Sequence, residues 1–358
     1  MDFSIETDKG STVKLWMVRA GRHATWENLA FENEITFVGF SEIPDLSGTS
    51  SREEILQVLR KSLPQDSEKR LINFAGQLNA FVHRIEVGDL IALPLKSRPH
   101  IAIAKVMGAY EYRNDISETI KHSRKAEWIK TDIPRTLFKQ DLLYSFGAFM
   151  TVCQISRNNA LARVQEVLKG KPDPGFGAQI KTKASEQMQQ SEEEEETAAA
   201  DIEQIAKDQI LAHMQSEFAG HDLSRLIAAI LEAEGYITDI SAPGPDGGVD
   251  ILAGRGSLGF NSPRLCVQVK SGPTPSDVTI FRALQGTMQT FGAEQGLLVS
   301  WAGFKRTVEK EAKTSFFAVR LWDSSDILDA TIRNYEQLPE EVRKELPLKR
   351  TWALVLDE

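Results

Sequence analysis

One stretch limits the fold of this chain more than any other, the run from Pro243 to Ser271. Pro243, Gly244, Pro245, Gly247 and Gly248 exclude a helix before Val249. Val249 to Ala253 is a short apolar run holding one acid, Asp250. Gly254 to Arg264 is rich in Gly, Ser, Asn and Pro and predicts a loop. Leu265 to Lys270 then alternates, with Leu265, Val267 and Val269 on one face and Cys266, Gln268 and Lys270 on the other. The pattern predicts turn, strand, loop and strand, with the valine face on a core and the opposite face at the wet surface. If the two strands pair, Asp250 converges on Gln268 and Lys270.

A carboxylate, an amide oxygen and a backbone carbonyl are hard ligands suited to Mg²⁺. A dication held there polarises a phosphoryl oxygen and lowers the pKa of a bound water. A neighbouring ammonium offsets charge on the phosphate. On spacing alone, an ordinary hairpin with polar residues near its strand ends explains the pattern as well.

Gly-x-Asp-Gly-Gly-Val-Asp followed by a strand ending Val-Gln-Val-Lys resembles the Mrr-type restriction endonucleases of the PD-(D/E)xK superfamily. The resemblance covers about the last third of the chain. It implies a restriction-endonuclease-like mixed sheet flanked by helices, with Asp250, Gln268 and Lys270 as catalytic residues. It also implies Mg²⁺ as cofactor, held by Asp250, Gln268 and the Val269 carbonyl. One departure stands out. The helix before Gly235-Tyr236 usually carries a Phe-Glu pair, and here Leu223-Ser224 occupies it, with Asp222 the nearest acid. Asp246 is a further candidate ligand.

At 358 residues the chain is long for one domain, so two are expected: 1–169, a linker over 170–200, and 201–358. The net charge of −9 is uneven. Residues 1–169 carry 23 basic and 21 acidic residues, whereas 170–220 carry 4 and 11, including Glu192 to Glu196. Global charge therefore does not exclude nucleic acid as a partner. The two cysteines, Cys153 and Cys266, provide neither a disulfide framework nor a zinc cluster, as expected of the reducing cytoplasm. The first residues lack a basic and apolar signal region and no long apolar run follows, so neither secretion nor membrane spanning is expected.

The first domain reads as a small α+β unit. Strands are predicted over Val13–Arg19, Glu34–Phe40, Leu90–Leu95 and His100–Tyr112, and another near Trp128. Helices are predicted after Ser50–Ser51 and after Asp66, and over Asp141–Thr151 and Asn158–Leu168. Trp16 to Gly21, Gly39-Phe40, Gly88 to Ile91 and His122 to Trp128 resemble the amino-terminal domain often joined to Mrr-type nucleases. More loosely they resemble the PUA-like group, which includes the EVE and SRA modules. That resemblance implies a reader of modified bases. A flipped base needs a stacking face and hydrogen bonds to its edge. Trp16, Trp26, Phe40 and Trp128 offer faces, and Arg19, Asp45, Ser47, His122 and Arg124 offer polar groups. Aromatics at strand spacing serve a core as readily, and Lys121 to Lys125 fits a solvated loop as well as a phosphate contact.

After the linker, helices are predicted over about 198–218, His221–Glu234, 276–291, 305–314 and 325–335. They alternate with strands over 236–241, 295–301 and 317–322. Together these readings give a two-domain α/β protein, expected to be a Mg²⁺-dependent endonuclease in defence against foreign DNA. Its expected partner is double-stranded DNA, plain or modified, and cutting both strands implies a homodimer or larger assembly. The alternatives are a DNA-binding or sensor protein with a silent nuclease fold, and a repair nuclease.

Overall fold

The computed structural model describes residues 13–21, 25–96, 98–147, 150–175, 202–242 and 248–352. Asp246 and the acidic run Glu192–Glu196 lie outside them. The chain divides near residue 205 into two compact units.

The first unit is built on six strands: β1 (Leu15–Val18), β2 (Ile35–Val38), β3 (Leu90–Pro94), β4 (His100–Tyr112), β5 (His122–Pro134) and β6 (Val152–Gln154). Their order in the sheet is β2-β5-β4-β3-β1-β6, with β1 parallel to β3 and the other pairs antiparallel. Its helices are α1 (Thr25–Glu32), α2 (Arg52–Ser62), α3 (Glu68–Asn79), α4 (Gln140–Phe146) and α5 (Ala160–Leu168). α2 starts where a Ser can cap it: Ser51 Oγ accepts from the Glu54 N–H, and Glu53 and Glu54 sit in the first turn. α3 runs on into a π-helical turn over Ala80–Arg84. The basic cluster Lys121–Lys125 is not a loop. Its residues 122–125 open β5, where His122, Ser123 and Arg124 are buried, so both faces of the strand are covered there, and Lys125 is exposed. The helix expected over 141–151 stops at Phe146, where Gly147 closes it with bonds to the Leu143 and Tyr144 carbonyls.

The second unit holds β7 (Ile237–Ile240), β8 (Ile251–Arg255), β9 (Asn261–Lys270), β10 (Gln295–Ser300) and β11 (Val319–Trp322). Its sheet order is β11-β10-β9-β8-β7. β7, β8 and β9 form an antiparallel meander, and β10 and β11 run parallel to β9. Its helices are α6 (Ile202–Glu217), α7 (His221–Ala233), α8 (Val278–Phe291), α9 (Arg306–Thr314), α10 (Ser324–Asn334) and α11 (Glu340–Glu345). Helices cover both faces. Leu265, Val267 and Val269 pack with α7 and α10. Cys266 and Leu298 pack with Phe281 and Leu284 of α8 and Val308 of α9. The Cys266 face of β9 is therefore a second core and not a wet surface, and burial pushes the Cys266 thiol up to about 11. β9 also begins earlier than its sequence suggests. Glu294 accepts from the Ser262 hydroxyl at 2.7 Å and the Arg264 N–H at 2.9 Å, which holds this Pro-containing segment extended.

Candidate active site

Asp250 lies one residue before β8. Its N–H donates to the Val267 carbonyl at 2.9 Å, and its own carbonyl accepts from Ser241 at 2.9 Å. β8 starts at Ile251, opposite Val267, so β9 runs on past the end of its neighbour. The outward N–H of Val269 is taken by the Asp250 carboxylate, which accepts it at 2.7 Å. The N–H and C=O of one strand residue point to the same edge, so the Val269 carbonyl lies on the Asp250 side as well. Ahead of this, Gly248 has φ of 87°, a left-handed conformation that favours glycine.

Gln268 and Lys270 share the face of β9 that packs on α8 and α9. The parallel register sets Leu298 beside Gln268 and Ser300 beside Lys270. Gln268 is only 8% exposed, and among the described residues its buried Oε1 has no hydrogen-bond partner. Lys270 is half-buried where the face opens. The strand pairing thus joins Asp250, Gln268, Val269 and Lys270 at one end of the sheet. Ser224 on α7 is buried, whereas Asp222 is largely exposed and pairs with Arg225 at 3.3 Å. Among the described residues no group of three or more His, Cys, Asp or Glu side chains is placed to hold a metal ion. The donors present are one carboxylate, an unpartnered amide oxygen and a backbone carbonyl, a set that fits a weakly held hard dication.

A restriction-endonuclease family model, that of the Mrr catalytic domain, matches residues 215–331. The chain carries an Mrr-type restriction-endonuclease domain. Residues 16–154 match a second family model, described as a domain of unknown function, DUF8426. No curated protein matches the chain. Among solved structures, the chain is similar to the DNA modification-dependent restriction endonuclease AspBHI, at 14% identity over 72% of this chain and 67% of that one, with a TM-score of 0.33. It is also similar to the MspJI restriction endonuclease in complex with a 27-mer oligonucleotide, at 15% identity over 79% of this chain and 70% of that one, TM-score 0.30. Superpositions this loose carry no weight beside the family match, which alone assigns the Mrr-type domain.

The base-reading candidates of the first domain fall into two groups. Trp16 is fully buried and its indole N–H donates to Asp89 at 2.9 Å. Arg19 is 8% exposed, with its backbone N–H on the Thr151 carbonyl. Arg124 donates to the carbonyls of Phe81 at 2.7 Å, Val82 at 2.8 Å and Gly108 at 3.2 Å, pinning the π turn to the sheet. Burial brings Arg124 down to about 10. His122 is also buried. Its Nε2 lies 3.0 Å from the Phe40 carbonyl and 3.1 Å from that of Ile43, so Nε2 carries the proton. Its Nδ1 then accepts from the Tyr110 hydroxyl at 2.8 Å, and that hydroxyl accepts from the Leu46 N–H at 3.2 Å. Burial lowers the His122 pKa, in keeping with this neutral tautomer.

Phe40 and Asp45 belong to the loop that His122 and Tyr110 hold. Phe40 is half-buried, edge-on to Phe74 at 5.1 Å. Asp45 is exposed; the Ser47 hydroxyl and N–H hold its carboxyl below the usual range. Trp128 donates to the Ala30 carbonyl and stacks edge-on with Phe31, and Trp26 meets Phe37 edge-on. The strand pairing that brings His122 beneath a loop some eighty residues earlier left no periodic trace in the sequence.

Two polar clusters carry structural roles that sequence reasoning missed. Asp89 accepts from the Lys14 and Glu86 N–H groups and from Trp16, tying a turn to β1. Arg163 of α5 is fully buried and forked between Asp173, at 2.7 Å from Nε and from Nη2, and Asp141, at 2.6 Å. Asp173 falls within the stretch read as linker, yet it is part of the first unit's interior. An Arg among Ala162, Val164, Val167 and Leu168 on a nine-residue helix is the one signal that pointed to it.

Proposed function

We propose that the chain is a Mg²⁺-dependent endonuclease that hydrolyses phosphodiester bonds of double-stranded DNA. The observation that carries this reading is the unpartnered, buried Gln268 amide oxygen, set beside Asp250 and Lys270 within the Mrr-type domain. Leaving such an acceptor unpaired costs roughly 1–3 kcal/mol, a cost removed when a cation meets it. Asp250, Gln268 and the Val269 carbonyl are the residues that would hold Mg²⁺, which supplies Lewis-acid charge at the phosphoryl oxygen and a more acidic bound water. Lys270 offsets the charge developing on the phosphate and orients the attacking water.

One carboxylate is a thin charge complement for a dication. Affinity of the free protein should be roughly millimolar, tightening when a DNA phosphate adds its charge. Calorimetry with Mg²⁺, with and without uncleavable DNA, tests this on wild type and on Asp250→Asn. Tight binding that survives Asp250→Asn would place the metal elsewhere, with Asp222 and Asp246 next to examine.

The first domain, in this reading, is a PUA/EVE-like recogniser of DNA, modified or plain. The loop from Gly39 to Thr49, carrying Phe40 and Asp45, is its contact surface, and Trp16, Arg19, His122 and Arg124 form the frame beneath it. Cutting both strands requires two sites, so the working form is a homodimer or larger, acting in the cytoplasm against invading DNA. Cleavage of plain, methylated and hydroxymethylated DNA with Mg²⁺ tests the whole. Ser224, at the position of the usual Glu, favours one second reading, a DNA sensor with a silent nuclease fold. Tight DNA binding with no cleavage of any of the three substrates would select it.

A further inference from the structure

The loops that leave β9 and β10 are joined by two buried hydroxyls. Ser276 is 2% exposed and Ser300 fully buried. The Ser276 hydroxyl donates to Ser300 Oγ at 2.9 Å, and the Ser300 hydroxyl donates to the Gly303 carbonyl at 2.7 Å. That carbonyl also accepts from the Ser276 N–H at 2.9 Å, and the Ser276 carbonyl accepts from Lys305 at 3.0 Å. The result is a closed set of bonds across two loops, in which the two backbone bonds form a parallel bridge of Ser276 to Phe304, and Lys305 stands 3.9 Å from Asp277 beside it.

This set stands directly beside Lys270. Ser300 is the register partner of Lys270, and paired residues of parallel strands project to the same face, so Ser300 lies on the Gln268–Lys270 face. The Lys270 carbonyl accepts from Trp301 at 2.8 Å. The backbone is thus fixed at Lys270, by Trp301, and again six residues on, by Ser276. An apolar core needs no hydroxyl chain at such a place. A valine or alanine pair would fill the space without polar groups to satisfy, whereas directed O–H bonds fix loop geometry.

We infer that Ser276 and Ser300 are positioning residues for Lys270, holding its ammonium over the phosphate that Asp250 and Gln268 face. The inference rests on the nuclease reading for its consequence in catalysis, but the positioning itself is separable from activity. Misplacing a catalytic group by about 1 Å costs about 10²-fold in rate.

The test uses the full chain with Ser300→Ala, Ser276→Ala, the double variant and Ser300→Thr. In cleavage, each Ala variant should lose roughly 10- to 100-fold in kcat with KM for DNA within about twofold, and the double variant should be no worse than either single, because the pair acts as a unit. Ser300→Thr should recover most of kcat. Independently, acylation of Lys270 by a water-soluble reagent, read by mass spectrometry, should speed up in the Ala variants while that of the exposed Lys61 of the first unit is unchanged. Wild-type kcat and unaltered Lys270 labelling in both Ala variants would overturn the inference and leave the nuclease reading standing. If wild type cleaves no DNA, the nuclease reading fails, and the labelling alone decides whether the hydroxyls hold Lys270.

Discussion

Four buried polar residues of the first domain contrast with one of the second. In the first, Arg163, Arg124, Asp89 and His122 are buried with their polar atoms engaged by carboxylates, carbonyls or N–H groups. Their effect is to fix loops and chain ends to the sheet. In the second, Gln268 is buried too, but among the described residues its Oε1 has no partner. Among the described residues the first domain also has buried polar atoms without a partner, at His100 Nδ1, Gln140 Nε2 and Ser156 Oγ. Burial pushes that histidine down to about 3, so it stays neutral, and it starts a strand flanked by Ile101. Gln268 instead stands beside a carboxylate and an ammonium. The difference teaches that burial alone does not mark a site. A buried acceptor left open among charged neighbours is what supports the proposal that the chemistry lies in the second domain.

The largest expected effect tests the closed half of the comparison. Arg163→Met leaves Asp173 buried without its counter-ion, and breaking a buried pair from one side costs about 3–5 kcal/mol. Chemical denaturation of residues 1–175 should show that loss. A fragment ending at 169 should be similarly weakened, since it lacks Asp173. Equal stability of the two fragments would show that the fork holds nothing.

Lys270→Ala probes the open half. Lys270 is half-buried at a face that opens, so its removal should leave the melting temperature within a few degrees. Loss of a positioned charge at the phosphate should lower the cleavage rate about 10²-fold or more. A mutant that cleaves at the wild-type rate removes Lys270 from the site.

These two clusters were not equally legible in the sequence. The alternation of Val267, Gln268, Val269 and Lys270, and Asp250 behind a glycine turn, are local patterns, and the strand pairing joins them as the pattern predicts. The second core over Cys266 was not legible, because a single cysteine and a half-apolar helix 15 residues on do not announce that they pack together. The Arg163 fork joins residues 141, 163 and 173 through a fold that brings helix ends together, and no periodicity encodes such a meeting. The same holds for His122 beneath Phe40 and Ile43. Short-range pattern finds strands and helices, whereas buried hydrogen bonds of long sequence separation depend on the sheet order, which the sequence did not fix.

A smaller effect is expected at the reading loop. His122→Leu removes the bonds to the Phe40 and Ile43 carbonyls and to Tyr110, which together hold the loop from Phe40 to Leu46. The loss should be about 1–3 kcal/mol. If the loop meets DNA, affinity should fall by more than stability does, and hydrogen exchange at Ile43 and Leu46 should quicken. Unchanged exchange there would detach His122 from the loop.

The smallest effect is the pH dependence of the Arg163 fork, and its sign separates a paired from an unpaired carboxylate. Burial pushes Asp173 upward, but hydrogen bonds from Arg163 and the N–H groups of Lys139 and Gly175 more than offset it, so its pKa ends below the usual value of 3.8. Hydrogen bonds from Arg163 bring Asp141 below it too. A folded pKa below the unfolded one means that the unfolded chain binds protons first. The stability these two acids contribute is therefore full above about pH 4 and is lost as pH falls through their folded values. In Arg163→Met the guanidinium's hydrogen bonds are gone, burial and the neighbouring Asp141 carboxylate act against the backbone donors alone, and the Asp173 pKa rises from its wild-type value. Protonation then costs the folded variant less than it costs the wild type. The stability gap between wild type and Arg163→Met, measured by urea denaturation of residues 1–175 at a series of pH values from 7 downward, should narrow as the solution is acidified. A gap that stays constant or widens would mean that the Asp173 carboxylate keeps its charge in the interior without Arg163, and that the backbone N–H groups, not the guanidinium, are what hold it.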